Sequence, residues 1–237
     1  MKTIKEISIL VGAAIVAAFA VNYLSPAGIA LVGQWDTAKG VITANEKKPT
    51  GAGKSSFDLI DAEKFFQELD LQKGISFLDV ASGRGSYSLA VSDIIGPQGR
   101  VFAVDLWAEG IEMLKTAAQE RGIENITAFV SDVGRRIPVE DQSIDVCLIA
   151  TALHDFVEDR IDRGVLNEIA RVVKPAGTLA VMEFKKIDGP PGPPKHIRLS
   201  PEDVADRLAP YGFRKERTAD VGAYNYLILF KYINSSP

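Results

Sequence analysis

The chain is 237 residues long and 46% apolar, with a formal net charge of −4, one cysteine and two histidines. That length and apolar share can bury one good-sized core, so one domain with a short appendage is expected. The negative balance argues against a nucleic-acid partner, which would call for a basic face. A single cysteine excludes a disulfide framework and a thiolate metal cluster.

In chain order, the first feature is an uncharged run from Ile7 to Leu24, apolar apart from Ser8, Asn22 and Tyr23. As a helix it would rise about 27 Å, close to the thickness of a bilayer core. Lys2 and Lys5 precede it, and Ala18-Phe19-Ala20 resembles a signal-peptidase site, so an uncleaved anchor and a secretory signal both stand as readings. Lys39, Lys47 and Lys48 lie beyond the other end, so lysine placement does not fix an orientation. Residues 1–32 read as a membrane anchor and 33–54 as a linker rich in Gly, Lys, Thr and Pro. Gly51-Ala52-Gly53-Lys54-Ser55 imitates a phosphate-binding loop but has Lys48 where the leading glycine belongs and no strand before it. The remaining unit is 55–237.

That unit opens with a helix predicted over Phe57–Leu69, with Leu59, Ile60, Phe65, Phe66 and Leu69 apolar. The apolar residues Ile75, Phe77, Leu78 and Val80 suit a buried parallel strand. Gly83 and Gly85 then allow a tight turn and close backbone approach to a ligand. Ser86 to Ile95 fits a helix whose first turn aims N–H groups at a bound anionic group. A second strand ends at Asp105, about 20 residues past Gly85, where a carboxylate can accept hydrogen bonds from ribose hydroxyls. Strand, Gly-rich loop, helix, strand and terminal acid together read as a nucleoside-cofactor site.

An amphipathic helix is predicted over Ala108–Arg121, stopped by Gly122. A strand at Ile126–Val130 runs into Ser131-Asp132, and a fourth at Ile144–Ala150 runs into Thr151-Ala152-Leu153-His154-Asp155. Cys147 in that strand reads as a small core hydrophobe. A helix from about Arg160 to Val173, a turn at Lys174–Gly177 and a strand at Thr178–Phe184 follow. Ser200-Pro201-Glu202-Asp203 supplies an N-cap, an N1 proline and an acidic first turn. Strands near Arg214–Asp220 and Tyr224–Tyr232 close the chain around Gly222-Ala223. Alternating helices and strands predict a Rossmann-like α/β fold, a mostly parallel seven-stranded sheet with helices on both faces, one antiparallel strand at its end and a C-terminal hairpin.

Gly83-x-Gly85-x-x-Ser88 nearly meets the dinucleotide pattern, which leaves an NAD(P)-linked oxidoreductase as one reading. However, Asp79 stands inside the strand, and Ala81-Ser82 separate it from Gly83. The run D-V-A-S-G-R-G resembles the first motif of class I S-adenosylmethionine-dependent methyltransferases, which usually have glycine where this chain has Ala81. The resemblance covers about Phe57 to Tyr232. Within the class, KPAGTLAVMEF and KKIDGPPGPPKHIRLSPEDVADRLAPYGF look most like the ubiquinone/menaquinone-biosynthesis branch and its small-molecule relatives.

The resemblance implies S-adenosylmethionine as cofactor, with Asp79 suited to the methionine ammonium and Ala81, Gly83 and Gly85 forming the loop. It implies Asp105 and its neighbour Leu106 at the ribose, Asp132 at the adenine amino group, Val133 on the ring, and Ala150 closing the site from the fourth strand. That cofactor is held in the cytosol, which favours the uncleaved anchor with a cytoplasmic catalytic domain, at the inner membrane if the chain is bacterial. Paucity of cysteine sets the chain apart from arsenite methyltransferases.

Both histidines are predicted in loops at the ligand end of the sheet. His154 suits a proton acceptor for a phenol or hydroxyl, with Asp155 to orient it; a helix-start role is the alternative. His196 ends the run Gly189-Pro190-Pro191-Gly192-Pro193-Pro194 and reads as structural. No histidine, cysteine and carboxylate cluster has metal-ligand spacing. The expected activity is methyl transfer to a small, apolar or lipid-like acceptor such as a quinone precursor. A non-catalytic cofactor-binding scaffold at the membrane is the alternative from another class.

Overall fold

The structure is a computed structural model and describes residues 53–233. The predicted anchor, and the predicted linker up to residue 52, lie outside the described residues. Among the described residues no helix is long and apolar enough to cross a membrane.

Seven strands form one sheet in the order β3-β2-β1-β4-β5-β7-β6. They are β1 (Ser76–Val80), β2 (Arg100–Asp105), β3 (Ile126–Val130), β4 (Ile144–Ala150), β5 (Val173–Phe184), β6 (Phe213–Asp220) and β7 (Asn225–Tyr232). The first five run parallel, and β7 pairs antiparallel with both β5 and β6. The antiparallel strand is therefore one place in from the edge and not at the end, because the tight β6–β7 hairpin inserts its second arm beside β5. The outermost strand is left to β6, whose Arg214, Lys215, Glu216 and Arg217 are exposed charges that discourage edge pairing.

The inner strands are buried on both faces, which is why their sequences run apolar without alternation. Leu78 and Val80 join one core with Val165, Leu166, Ile169, Val204 and Leu208. These come from α5 (Asp162–Val172) and α6 (Pro201–Leu208). Phe77, on the opposite face, joins Phe65, Leu69, Tyr87, Val91 and Ile95 from α1 (Ala62–Leu69) and α2 (Ser86–Ile95). A further helix, α3 (Ala108–Glu120), lies against β2 and β3 and ends ahead of Gly122 at φ 66°. At about 25 cal/mol per Å² of apolar surface, these two layers are the main favourable term in folding.

The predicted elements correspond closely, with four local corrections. The helix predicted over Phe57–Leu69 is a 3₁₀ turn (Phe57–Leu59) followed by α1, because Asp61 accepts the Lys64 N–H at 3.1 Å and restarts the helix as an N-cap. The helix predicted from Arg160 starts at Asp162, since Arg160 sits at φ 60°. A separate short helix, α4 (Leu153–Glu158), precedes it, so His154 lies in a helix and not in a loop. The turn predicted at Lys174–Gly177 is a bulge inside β5. There the register with β4 jumps from Ile144↔Val173 to Val146↔Thr178, and Ala176 adopts φ 60°. The N-cap and N1 proline predicted at α6 are present, and Ser200 and Asp203 go further to form a capping box, bonded reciprocally at 3.1 and 2.8 Å.

Candidate cofactor and acceptor site at the carboxyl end of the sheet

The strand order reverses between β1 and β4, so the loops leaving these two strands diverge and open a crevice at their carboxyl ends. Leaving β1, the backbone adopts positive φ at every second residue: Ala81 at 59°, Gly83 at 57° and Gly85 at 76°. This left-handed conformation costs an L-residue about 1–2 kcal/mol. Ala81 bears that strain here, which a glycine at this position would not. A Cβ built on Gly83 meets nothing within 4 Å, so a side chain there would fill the free space over the loop. The Ser82 hydroxyl oxygen is buried and has no hydrogen-bond partner among the described residues. Open space over a backbone turn, beside an unsatisfied buried hydroxyl, fits a polar ligand resting on the loop.

Asp79 and Asp105 hold that loop from two sides. Asp79, on the α2 face of β1 and 1% exposed, accepts from the Ser88 hydroxyl at 2.6 Å and from the Ser88 backbone N–H. It thereby ties the strand to the first turn of α2. Burial pushes its pKa up to about 7, with Ser88 opposing and the charge of Asp105 adding. A cation placed beside it would restore the carboxylate, which suits a cofactor carrying an ammonium and a sulfonium. Asp105 accepts from Gly83 N–H and Trp107 N–H, each at 2.7 Å. Burial raises its pKa, against the pull of these backbone donors. The Leu106 backbone N–H bonds to it as well; a carboxylate offers about four lone-pair positions, so the carboxylate that sets the loop keeps acceptor capacity for the ribose. Leu106 follows it, half-buried.

Beyond β3, Asp132 accepts from Gly134 N–H at 3.0 Å and pairs with Arg135 at 3.2 Å, leaving its side chain 28% exposed. Val133 is buried in the core with Ile137. This turn packs tightly on α5: a Cβ built on Gly164 would strike the Gly134 carbonyl oxygen. Ala150 ends β4, half-buried beside the crevice.

The β4 side carries a second layer that sequence reasoning missed. Thr151 sits at φ 52°, an outlier for a β-branched residue. Its N–H donates to Met182 O at 2.8 Å and its hydroxyl to Ser56 at 3.0 Å. The Ser56 and Tyr87 hydroxyls lie 3.0 Å apart, and Tyr87 donates on to the Met182 sulfur at 3.8 Å. Phe57 packs edge-on against Tyr87 at 5.0 Å. Residues 55–57 thus bridge the first turn of α2 and the turn after β4.

His154 is 4% exposed, and its ring Nδ1 lies 2.7 Å from Glu183 Oε2. Its backbone N–H donates to Glu183 Oε1 at 3.1 Å. The predicted orienting residue, Asp155, lies instead at the other ring nitrogen, Nε2, at 3.6 Å. Burial works against a charged imidazole, but Glu183 and Asp155 outweigh it and raise the pKa of His154 above the ordinary value. Glu183 is fully buried at the end of β5. Its one sequence signal was an acid in the otherwise apolar run TLAVMEF, the same signal that marked Asp79 in β1. Arg198 is buried too and donates to the carbonyls of Lys185, Gly189, Pro191 and Pro193, folding the Gly/Pro-rich segment around itself over Phe184. His196 is exposed on that segment.

Comparison with known proteins agrees with this geometry. The sequence pattern of the ubiE/COQ5 methyltransferase family matches residues 59–192. A curated relative from Hahella chejuensis, described as the ubiquinone/menaquinone biosynthesis C-methyltransferase UbiE, is 32% identical over 120 residues, 51% of this chain and 47% of the relative. The protein of the same description from Azotobacter vinelandii is 30% identical over 125 residues, 52% of this chain and 48% of its own length. The chain thus spans about half the length of the curated relatives it matches. A crystal structure of an S-adenosylmethionine-dependent methyltransferase from Aquifex aeolicus superposes with a TM-score of 0.69 at 29% identity, covering 78% of this chain and 96% of that one. The [4+2]-cyclase SpnF superposes at 0.60 with 18% identity over 72% of this chain and 79% of its own, a likeness of fold alone. From the matched span and the site built on it, the chain belongs to the ubiE/COQ5 methyltransferase family, whose cofactor is S-adenosylmethionine.

Proposed function

We propose that the chain transfers a methyl group from S-adenosylmethionine to a small, apolar or lipid-like acceptor bearing a hydroxyl, a quinone precursor or a similar molecule, at a membrane surface. The observation that carries the reading is the crevice at the β1/β4 reversal, with the positive-φ loop held by Asp79 and Asp105 on one side and the short helix α4, which carries His154, following β4 on the other. The family assignment removes the oxidoreductase alternative. In addition, Ser88, where a dinucleotide site has its third glycine, spends its hydroxyl on Asp79.

When bound, the cofactor supplies an electrophilic methyl group on a cationic sulfur. Asp105, with Leu106 beside it, would hold the ribose, Asp132 and Val133 the adenine, and Asp79 with the loop of Ala81, Gly83 and Gly85 the methionine end. Ala150 and Thr151 form the wall between cofactor and acceptor. The three acids make the site negative, which favours a cationic cofactor over its neutral product. His154 takes the acceptor's hydroxyl proton, leaving an electron-rich oxygen or ring carbon for in-line attack. Support for an apolar acceptor comes from the curated relatives' description, and support for membrane attachment from the uncharged Ile7–Leu24 run.

Calorimetry with S-adenosylmethionine against NADH, followed by an acceptor screen with radiolabelled methyl donor and membrane lipid extracts, tests the proposal. The expected result is binding of the sulfonium cofactor and label in an organic-soluble product. Binding of NADH alone would sink the reading, and cofactor binding without turnover on any extract would return the scaffold alternative.

A further inference from the structure

We propose that Glu183 is a positioning residue that fixes His154 in its Nδ1–H tautomer and so makes Nε2 the proton-accepting atom of the site. The inference rests on the reading of His154 as the base, but its geometry stands apart from that reading.

Glu183 and His154 share one proton across a 2.7 Å contact, and two arrangements satisfy it. Either an ionised Glu183 accepts from Nδ1–H, or a protonated Glu183 donates to a bare Nδ1. The backbone decides. Glu183 Oε1 accepts from the His154 N–H at 3.1 Å, and Oε2 lies 3.4 Å from the Phe184 N–H. Both are donors aimed at the carboxyl group, and donors favour the charged form. A fully buried carboxylate is costly unless paired and bonded, and the Nδ1–H donor completes that set. The proton therefore resides on Nδ1, and only Nε2 offers a lone pair.

The groups facing the ring support the same direction of transfer. Asp155, from α4 itself, stands 3.6 Å from Nε2, too far for a direct hydrogen bond but near enough to stabilise an imidazolium. From β5 come Glu183 and the Phe184 ring, 6.1 Å away and edge-on, which shields the imidazole from water. Arg198 opposes the positive charge from the Gly/Pro-rich segment, and Lys54 acts on Asp155 from the residues before α1. The Arg198 guanidinium is committed to four backbone carbonyls, so it neither pairs with Glu183 nor competes for its oxygens. In the step itself, the acceptor's O–H bond breaks and its proton forms a bond to Nε2. The electron pair stays on the acceptor, and the other proton stays on Nδ1, hydrogen-bonded to the Glu183 carboxylate.

Two histidines in the whole chain make the tautomer directly readable. Nitrogen NMR of full-length protein labelled at histidine gives two ring systems, and His196→Gln identifies which is which. At pH above the histidine's pKa, where the ring is neutral, the expected spectrum of His154 has a protonated Nδ1 and a bare Nε2. In Glu183→Gln that tautomer preference is lost. In the same variant turnover falls about 10²–10³-fold, cofactor affinity stays within about twofold, and the ascending limb of the pH–rate profile moves to lower pH. A wild-type spectrum with a protonated Nε2 and bare Nδ1 overturns the proposal, and it does so even if Glu183→Gln fails to fold. A folded Glu183→Gln that loses thermal stability but keeps both its rate and its pH limb also overturns it, leaving a structural tie between β5 and α4. Normal turnover in His154→Ala would instead defeat the base reading, while the NMR result would still report on the Glu183 pairing.

Discussion

Replacing Asp105 with alanine probes the cofactor loop most sharply, because this carboxylate holds the loop and is proposed to hold the ribose as well. Its oxygens accept Gly83 N–H and Trp107 N–H at 2.7 Å each, in a site only 8% exposed. Truncation removes the acceptor of both bonds in a largely buried place, at about 1–2 kcal/mol each, so stability should fall by about 2–4 kcal/mol. Separately, loss of charge-assisted bonds to the ribose hydroxyls should weaken cofactor binding by about 1.5–3 kcal/mol, roughly 10–150-fold. Titration calorimetry, run well below the variant's melting temperature, separates the two losses. Asp105→Asn retains one acceptor oxygen and should fall between wild type and alanine on both measures. A folded Asp105→Ala with unchanged affinity would refute the ribose assignment, and one with unchanged stability would refute the loop-holding role.

Ala81→Gly should raise stability by about 0.5–1 kcal/mol, since relief of a left-handed alanine at φ 59° exceeds the entropy a glycine adds to the unfolded chain; a lower melting temperature would contradict this. Asp79, with its folded pKa raised to about 7 from 3.8, stabilises the free protein fully below pH 3.8, and that contribution is lost as pH rises through about 7. The cofactor's positive charge reverses the preference, so binding at pH 6 should release protons and affinity should rise up to about pH 7. Calorimetry in buffers of different ionisation enthalpy reads this, and Asp79→Asn should abolish the proton release. Full-length protein expressed in bacteria should sediment with membranes and resist carbonate extraction, while a chain starting near Gly33 should stay in the supernatant and bind cofactor. Recovery of a mature form beginning at Val21 in an exported fraction would favour the signal-peptide reading.

Much of this fold is legible in the sequence because buried parallel strands and amphipathic helices leave strong local signals. The runs at 126–130 and 144–150 and the helix at 86–95 form over the residues their patterns indicate. Misreadings fall where a side chain or a distant strand overrides the local pattern. Asp61 interrupts a helix that apolar spacing alone would continue through it. The place of β7 inside the sheet edge depends on a long-range pairing with β5 that no local pattern encodes. Asp105 is legible from its distance past Gly85 at the end of a strand, and Asp79 from the resemblance of its motif to the methyltransferase loop. Glu183 was not, since it lies 29 residues from His154 and only the β4–β5 adjacency brings the two together. The hydroxyl chain from Thr151 through Ser56 to Tyr87 escaped for the same reason, its members being separated by up to 95 positions.

The most direct test of the account is methyl transfer itself, measured on one membrane lipid extract with labelled donor, comparing wild type and His154→Ala side by side with their cofactor affinities. The account predicts label in an acceptor with the wild type, a loss of about 10²–10⁴-fold in His154→Ala, and cofactor affinity nearly unchanged. Near-normal turnover in His154→Ala would contradict it and leave this residue as the start of α4 and nothing more.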